Sequence, residues 1–187
     1  MYHPDKLQCL PEKRNFLARA GIHGSINTLD PEILNRINQI YLLGCQVIDP
    51  VVYHLTATAE NFPLELIPES FLGIKSMTVF TSTLGFTLDR VITELAESNR
   101  ILEAFLLDAW GSEALEALNR HFDEMMRSQN NSGTRRFSPG YGRVDIRMNR
   151  FIIEDLLDIK EIEVLESGVM LPRKTTTCLI GWYHEKK

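Results

Sequence analysis

Apolar residues recur at helical spacing along much of the chain. A period of three to four residues is the pattern of helices that bury one face against a core. Asp30-Pro31 opens one such stretch with an N-cap residue followed by a proline suited to the first helical turn. The pattern predicts helices over residues about 5–20, 31–44, 88–95, 99–125 and 147–157, the first two ending near Gly21 and Gly44.

Shorter segments rich in β-branched and aromatic residues, or alternating apolar with polar positions, are typical of strands. The last two predicted strands of the chain are separated by too few residues for a parallel crossover, so we expect these two strands to be antiparallel to each other. Irregular alternation of strands with helices predicts a single α+β domain over residues 1–187, with a largely antiparallel sheet flanked by helices. The predicted strands cover residues 51–57, 75–83, 163–166 and 175–183, with a further short one over 22–26.

Gly111 lies inside the longest helical pattern. Glycine in a helix interior is less favourable than alanine by about 1 kcal/mol, so one interpretation is a break in the helix. The other is close packing of the helix against a neighbouring backbone. We favour close packing.

Composition narrows the classes of function. The formal net charge of −5 argues against a nucleic-acid partner, which needs a basic face. No apolar run approaches the roughly 20 residues that span a bilayer. The first residues are polar and contain no signal-peptide core, so the expected location is cytoplasmic. Three scattered cysteines fit a reducing compartment, and the histidines show no metal-ligand spacing, so no metal site is predicted.

Arg136-Phe-Ser-Pro-Gly-Tyr141 is the segment richest in binding chemistry. Arg136 offers five fixed donors suited to a carboxylate. Pro139 and Gly140 can turn the backbone tightly and leave N–H groups available to a ligand. Tyr141 adds a flat apolar face with one polar end. On its own, such a segment is more often a surface turn between helices than a binding site. The other motifs of the chain favour the binding site.

Four elements in a fixed order carry a resemblance to a known family. The chain resembles the activation domain of vitamin B12-dependent methionine synthase, in its short free-standing form. The match covers roughly residues 80–185, whereas residues 1–75 contribute little. The elements are Thr83-Leu-Gly85, then Leu107-Asp-Ala-Trp-Gly-Ser112 with Glu116-Ala-Leu118, then Arg136–Tyr141, and last Val169-Met-Leu-Pro-Arg-Lys174 before a strand ending in Ile180-Gly181.

The resemblance implies a fold, two cofactors and a partner. It implies a mostly antiparallel sheet curved around a groove. It also implies binding of S-adenosylmethionine, whose methyl group rescues cobalamin oxidised to the inactive Co(II) state. The chain lacks the cobalamin-binding Asp-x-His-x-x-Gly motif. The cobalamin would therefore arrive on a methionine synthase or another corrinoid protein, and an electron donor would supply the reducing electron.

Residue roles follow from the resemblance position by position. Arg136 would pair with the carboxylate of the ligand, and Ser138 would contribute through its backbone. Tyr141 is the candidate catalytic residue, near the methyl donor or the corrin. Glu124 aligns with a family glutamate that contacts the ligand, and it could share one groove with His121. The residues implied to bind S-adenosylmethionine are Arg136, Ser138, Pro139, Gly140, Tyr141 and Glu124.

Two departures from the family pattern bear on the site. After Tyr141 the chain runs Gly-Arg-Val-Asp, where many relatives carry a proline-containing turn. After Pro172 it runs Arg-Lys-Thr-Thr-Thr, where the family tends towards Lys-Ser-Val-Ser, so small hydroxyl residues are retained.

Two other hypotheses remain open: a module that docks a corrinoid protein without methyl transfer of its own, and an unrelated helix-rich structural protein.

Overall fold

The computed structural model describes residues 1–23, 29–130 and 132–183. Short 3-10 turns accompany the helices at Lys6–Cys9, Ala59–Asn61 and Leu64–Leu66. None of the helices in the described ranges is long and apolar enough to cross a membrane. The helices are α1 (Lys13–Arg19), α2 (Pro31–Val47), α3 (Phe86–Glu97), α4 (Ile101–Gln129) and α5 (Met148–Arg150), which continues as a π-helical segment over Phe151–Leu156.

The strands form two antiparallel sheets. The main sheet has the order β1-β2-β5, and β2 pairs with a strand on each side. A separate two-stranded sheet pairs β3 with β4. The fold class predicted from the sequence, α+β with an antiparallel sheet, is confirmed. The strands are β1 (Val51–Thr58), β2 (Ser76–Thr83), β3 (Glu163–Val164), β4 (Met170–Leu171) and β5 (Thr175–Trp182).

The central strand β2 is buried on both faces. On one face Phe80 of β2 packs against Phe122 of α4, with ring centroids 4.8 Å apart, inside the core formed with the helices. On the other face Met77 and Val79 of β2 join a second apolar cluster. Every β2 residue after Ser76 is therefore buried, and both faces of the central strand need cover from other segments.

Four predicted elements differ from the structure. The helix predicted over residues 5–20 is divided into the 3-10 turn Lys6–Cys9 and α1, with Pro11 between them. Helix α2 continues three residues past Gly44, to Val47. The strand predicted over residues 163–166 is only two residues long and pairs with β4 rather than with β5, so the antiparallel pair expected at the end of the chain does not form. The strand predicted over residues 22–26 lies largely outside the described residues, and its described part, Ile22 and His23, is not in a strand.

Gly44 does not end α2 because it is a contact point between two helices. The indole of Trp110 on α4 lies directly over it, and a Cβ at this position would overlap the ring. Trp110 is fully buried, so the ring has no space into which to move. The absence of a side chain at Gly44 thus lets α2 approach α4.

We expect Gly44→Ala to lower the free energy of unfolding. Overpacking in a rigid core costs about 1–3 kcal/mol, which exceeds the roughly 1 kcal/mol that alanine gains over glycine in a helix. Urea denaturation would measure the difference. Leu42→Ala is the control in the same helix: Leu42 is exposed, and its replacement should change stability by less than about 0.5 kcal/mol. Equal stability of both variants would contradict the packing explanation.

Gly111 also marks close packing, but against the side chains of Leu88 and Lys174 and not against a neighbouring backbone, which the sequence analysis favoured. Helix α4 runs through it without interruption. A Cβ there would lie 2.8 Å from Leu88 Cδ2 and 3.3 Å from Lys174 Cε. Lys174 is itself buried, and its ammonium group donates to Ser112 Oγ at 2.9 Å and lies 2.8 Å from Asp108 Oδ1. The middle of α4 is therefore joined to the residue that precedes β5.

Candidate functional site

A pocket of about 510 Å³ opens between α4, the segment after α4, and the first half of β5. Its volume lies in the range typical of small-molecule sites, roughly 300–1,000 Å³. The turn that joins β3 to β4 forms a further wall. The lining residues used below are Glu116 and Asn119 of α4, Arg136, Ser138, Pro139 and Tyr141, Ile146, Asn149, Gly168–Met170, Arg173 and Thr175–Cys178.

Residues 133–137 run beside the outer edge of β5 and thereby position Arg136. The N–H of Thr134 donates to Gly181 O at 2.8 Å. Phe137 and Leu179 exchange two backbone hydrogen bonds, of 3.0 and 2.7 Å. These bonds fix the backbone on both sides of Arg136, so the arginine projects from an anchored strand-like segment rather than from a free loop.

Arg136 is a half-buried, paired cation in this structure. Its Nη2 donates to Glu116 Oε1, and its Nε lies 3.8 Å from Asp123 Oδ2. Burial lowers the pKa of the guanidinium, but the hydrogen bond to Glu116 and the charges of both carboxylates outweigh it, and the pKa is raised. Asp123 also forms an ion pair with Arg127 at 2.9 Å, although its buried Oδ1 has no directed hydrogen bond among the described residues.

A guanidinium beside a carboxylate can bind both charged groups of an amino acid, the α-carboxylate and the α-ammonium. The α-carboxylate of an amino-acid group would exchange with Glu116 on Arg136, because two N–H donors of arginine match two carboxylate oxygens. The released Glu116 would then accept from the α-ammonium. The side chain of Glu116 is 44% exposed against 22% for Arg136, so the glutamate has more open space into which to move during this exchange.

The bend after Arg136 is a real turn, but its N–H groups are not all available. Gly140 has φ +95°, which only glycine adopts without strain. Its N–H donates to Val144 O at 2.8 Å, and the N–H of Val144 donates to Tyr141 O at 3.2 Å. The Gly140 N–H, which the sequence placed at the disposal of a ligand, is therefore used inside the turn.

Ser138 and Tyr141 both line the pocket, at different depths. Ser138 Oγ lies 3.6 Å from Sγ of Cys178 in the wall. Burial raises the pKa of the Cys178 thiol, so this group is a neutral wall residue and not a nucleophile. Tyr141 stands at the rim with 70% of its surface exposed, near the exposed side chains of Ile146 and Val169. The rim is thus more apolar than the interior, and the catalytic role of Tyr141 stays a prediction.

Glu124 does not lie in this pocket. It is exposed in a separate groove with His121, Glu12 and Arg120, so the groove shared with His121 is as expected but lies apart from Arg136. Glu116, eight residues earlier, faces the pocket instead. At 100° per residue the two glutamates are rotated by about 80° around α4. The structure therefore gives Glu116, rather than Glu124, the position beside Arg136.

Sequence reasoning also missed a buried polar wall. Asn149 is 4% exposed; its Nδ2 donates to Gly168 O at 2.9 Å, and its Oδ1 accepts from Thr177 Oγ1 at 2.5 Å. Asn149 thereby holds the β3–β4 turn against β5. The available signal was the position of Asn149 three and four residues before Ile152 and Ile153, which places a polar residue on the apolar face of the predicted helix. No cluster of His, Cys, Asp or Glu among the described residues could hold a metal ion.

Comparisons with known proteins agree with this architecture. No family model matches the chain, and no curated protein matches it. Among solved structures it is similar to a crystal structure of the MetH reactivation domain bound to AdoHcy. The TM-score is 0.66 at 13% sequence identity, over 97% of this chain and 76% of that one. The chain therefore has the fold of the MetH reactivation domain.

Proposed function

We propose that this protein binds S-adenosylmethionine in the pocket around Arg136 and supports reductive methylation of oxidised cobalamin. The cobalamin would be carried by a methionine synthase or another corrinoid protein, with a separate electron donor. The observation that carries the proposal is a pocket holding an Arg136–Glu116 pair on the fold of a domain known with AdoHcy bound. The resemblance of the segments around this pocket supports the same ligand.

Each part of the pocket has a task in this proposal. Arg136 binds the α-carboxylate, and Glu116, once released, accepts from the α-ammonium. The anchored segment before Phe137 and the turn at Gly140 hold these groups in place. Positioning of this kind is the main contribution that a protein makes when the reactive groups come from two cofactors.

The rim is the surface that a corrinoid partner would cover. Tyr141, Ile146 and Val169 are exposed and apolar beside a polar interior. Covering them would exclude water from the sulfonium group of the ligand. The ring of Tyr141 could also face the sulfonium charge. Bound cobalamin would supply the methyl acceptor, while the residues of this chain bind, orient and shield the donor.

One observation favours the second hypothesis, a docking module without methyl transfer. The guanidinium of Arg136 is already bonded to Glu116, and a ligand must displace that carboxylate before it can bind. If the exchange is too costly, the rim could still bind a corrinoid protein while the pocket stays empty. The two hypotheses thus differ in whether the pocket takes up S-adenosylmethionine at all, in the isolated chain or in its complex with a corrinoid protein.

We expect S-adenosylmethionine to raise the melting temperature of the protein. A ligand at 100 times its Kd adds about 2.7 kcal/mol, or about 5–10 °C for a domain of this size. Thermal melts with a ligand titration would measure it, with methionine and adenosine added separately as controls. Transfer of labelled methyl to cobalamin on a corrinoid protein, under a chemical reductant, would then separate reactivation from docking. No shift at millimolar ligand, with or without that partner, would contradict the proposal.

A further inference from the structure

The outer edge of β5 is only partly paired. Leu179 and Gly181 direct their backbone groups outward, where Phe137 and Thr134 bind them. On the other side of the strand, the backbone bonds to β2 and its flanking residues. Lys174 O, just before β5, accepts from Leu84 N, and Trp182 O, at its end, accepts from Lys75 N. Even-numbered residues of β5 therefore face β2, and odd-numbered residues face the outer edge, as the period of two in an antiparallel strand requires.

The same period assigns the backbone of Thr175 and Thr177 to the outer edge. Residues 133–137 pair with β5 only as far as Leu179. The chain then turns away at Pro139 and Gly140. Among the described residues, neither β2 nor the 133–137 segment bonds the C=O of Thr175 or the N–H of Thr177, and both residues line the pocket. The pocket therefore contains one acceptor and one donor side by side on a rigid strand.

The space in front of this edge is too short for another strand. Asn149 and the turn at Gly168 close one side of the pocket, where Asn149 bonds Thr177 and Gly168. The segment that contains Ser138 closes the other side. An extended peptide needs several residues of open edge at 3.3 Å each, whereas a flat heterocycle needs one acceptor and one donor.

We propose that this edge binds the adenine ring of the ligand, with Thr175 C=O accepting from the 6-amino group and Thr177 N–H donating to ring nitrogen N1. The inference rests on the proposed S-adenosyl ligand and extends it to base selectivity. A 6-oxo purine carries an acceptor at position 6 and an N–H at position 1. Its 6-oxo group would therefore face the C=O of Thr175, acceptor against acceptor, and its N1–H would face the N–H of Thr177, donor against donor. Both contacts would leave polar groups without hydrogen bonds.

Backbone amide exchange offers a test within one strand. In the free protein the Thr177 amide should exchange rapidly, whereas the amides of Thr176 and Cys178, which face β2, should be protected. Saturating 5′-methylthioadenosine, which lacks the amino-acid group, should slow exchange at Thr177 and leave the two controls unchanged. NMR of uniformly ¹⁵N-labelled protein resolves the three amides in one experiment.

Base selectivity gives the second measurement. 5′-Methylthioinosine should bind at least about 10-fold more weakly than 5′-methylthioadenosine. Arg136→Ala should leave this ratio unchanged, because the arginine contacts the other end of the ligand. If S-adenosylmethionine binds without slowing exchange at Thr177, or if the two nucleosides bind equally, the adenine assignment is overturned and the proposed function stands. If no adenosyl ligand binds, both are overturned. Protection of Thr177 only by a corrinoid protein would overturn the adenine assignment in favour of strand addition.

Discussion

Replacing Arg136 by alanine is expected to weaken S-adenosylmethionine binding by about 10- to 150-fold. The loss corresponds to roughly 1.5–3 kcal/mol, the usual contribution of a hydrogen bond to a charged group. Two other described cations near Arg136 or the pocket already have partners. Arg127 lies beside Asp123 and its Nη2 donates to Thr134 O, and Arg173 lies 3.7 Å from Asp89 Oδ1. The variant would also leave Glu116 facing the ligand carboxylate, and that repulsion adds to the loss. Titration calorimetry would measure the two affinities.

Arg135→Ala is the matched control for this variant. Arg135 precedes Arg136 on the same anchored segment, but its side chain is exposed and does not line the pocket. Its replacement should change the binding free energy by less than about 0.5 kcal/mol. The two variants change the net charge equally, so a general electrostatic effect would weaken both alike. Equal losses would remove Arg136 from its assigned role while leaving the segment as a whole in the site.

Gly140→Val should abolish ligand binding while the protein remains folded. A β-branched residue is strongly disfavoured at φ +95°. Space is not the obstacle, because a Cβ at Gly140 would lie 3.5 Å from Ile146 Cβ, an ordinary contact. The turn must therefore change its backbone angles, which would displace Ser138 and Tyr141. The expected loss of stability is about 1–3 kcal/mol. Circular dichroism would follow the fold, and calorimetry would follow binding.

Gly21→Val tests whether backbone strain alone weakens binding. Gly21 has φ +71° with nothing within 4 Å of its Cβ position, and it does not line the pocket. Its valine variant should lose similar stability and bind the ligand normally. If Gly140→Val also binds normally, the turn is only a connector and does not position the groups that bind the ligand.

Local signals in the sequence predicted most of the elements correctly. Asp30-Pro31 marks the start of α2, where Asp30 accepts from the N–H of Glu32 at 2.8 Å. The strands predicted over residues 51–57 and 75–83 agree with β1 and β2 to within one residue at each end. These predictions depend on neighbours a few positions away, and such neighbours are visible in the sequence.

The predictions that differ depend on contacts between distant residues. Gly44 stays helical because of Trp110, 66 positions later, and a helix-ending glycine gives the same local pattern. The resemblance placed a glutamate on α4 beside the ligand, but at 13% identity to the similar structure the alignment along a long helix is loose. Eight positions separate Glu116 from Glu124, and this shift turns the side chain to another face of α4. The pairing of Arg136 with Glu116 likewise has no local signature.

The buried Lys174 has a consequence for the energetics of recognition. It fastens the middle of α4, which carries Glu116, to the start of β5, which carries the unpaired edge at Thr175 and Thr177. Two opposite walls of the pocket thus keep their spacing before any ligand arrives. If the pocket binds the proposed ligand, little backbone entropy would be lost on association, and the main rearrangement would be the exchange of one carboxylate for another on Arg136. Affinity in such a site is governed by the competition between two anions rather than by the ordering of the protein.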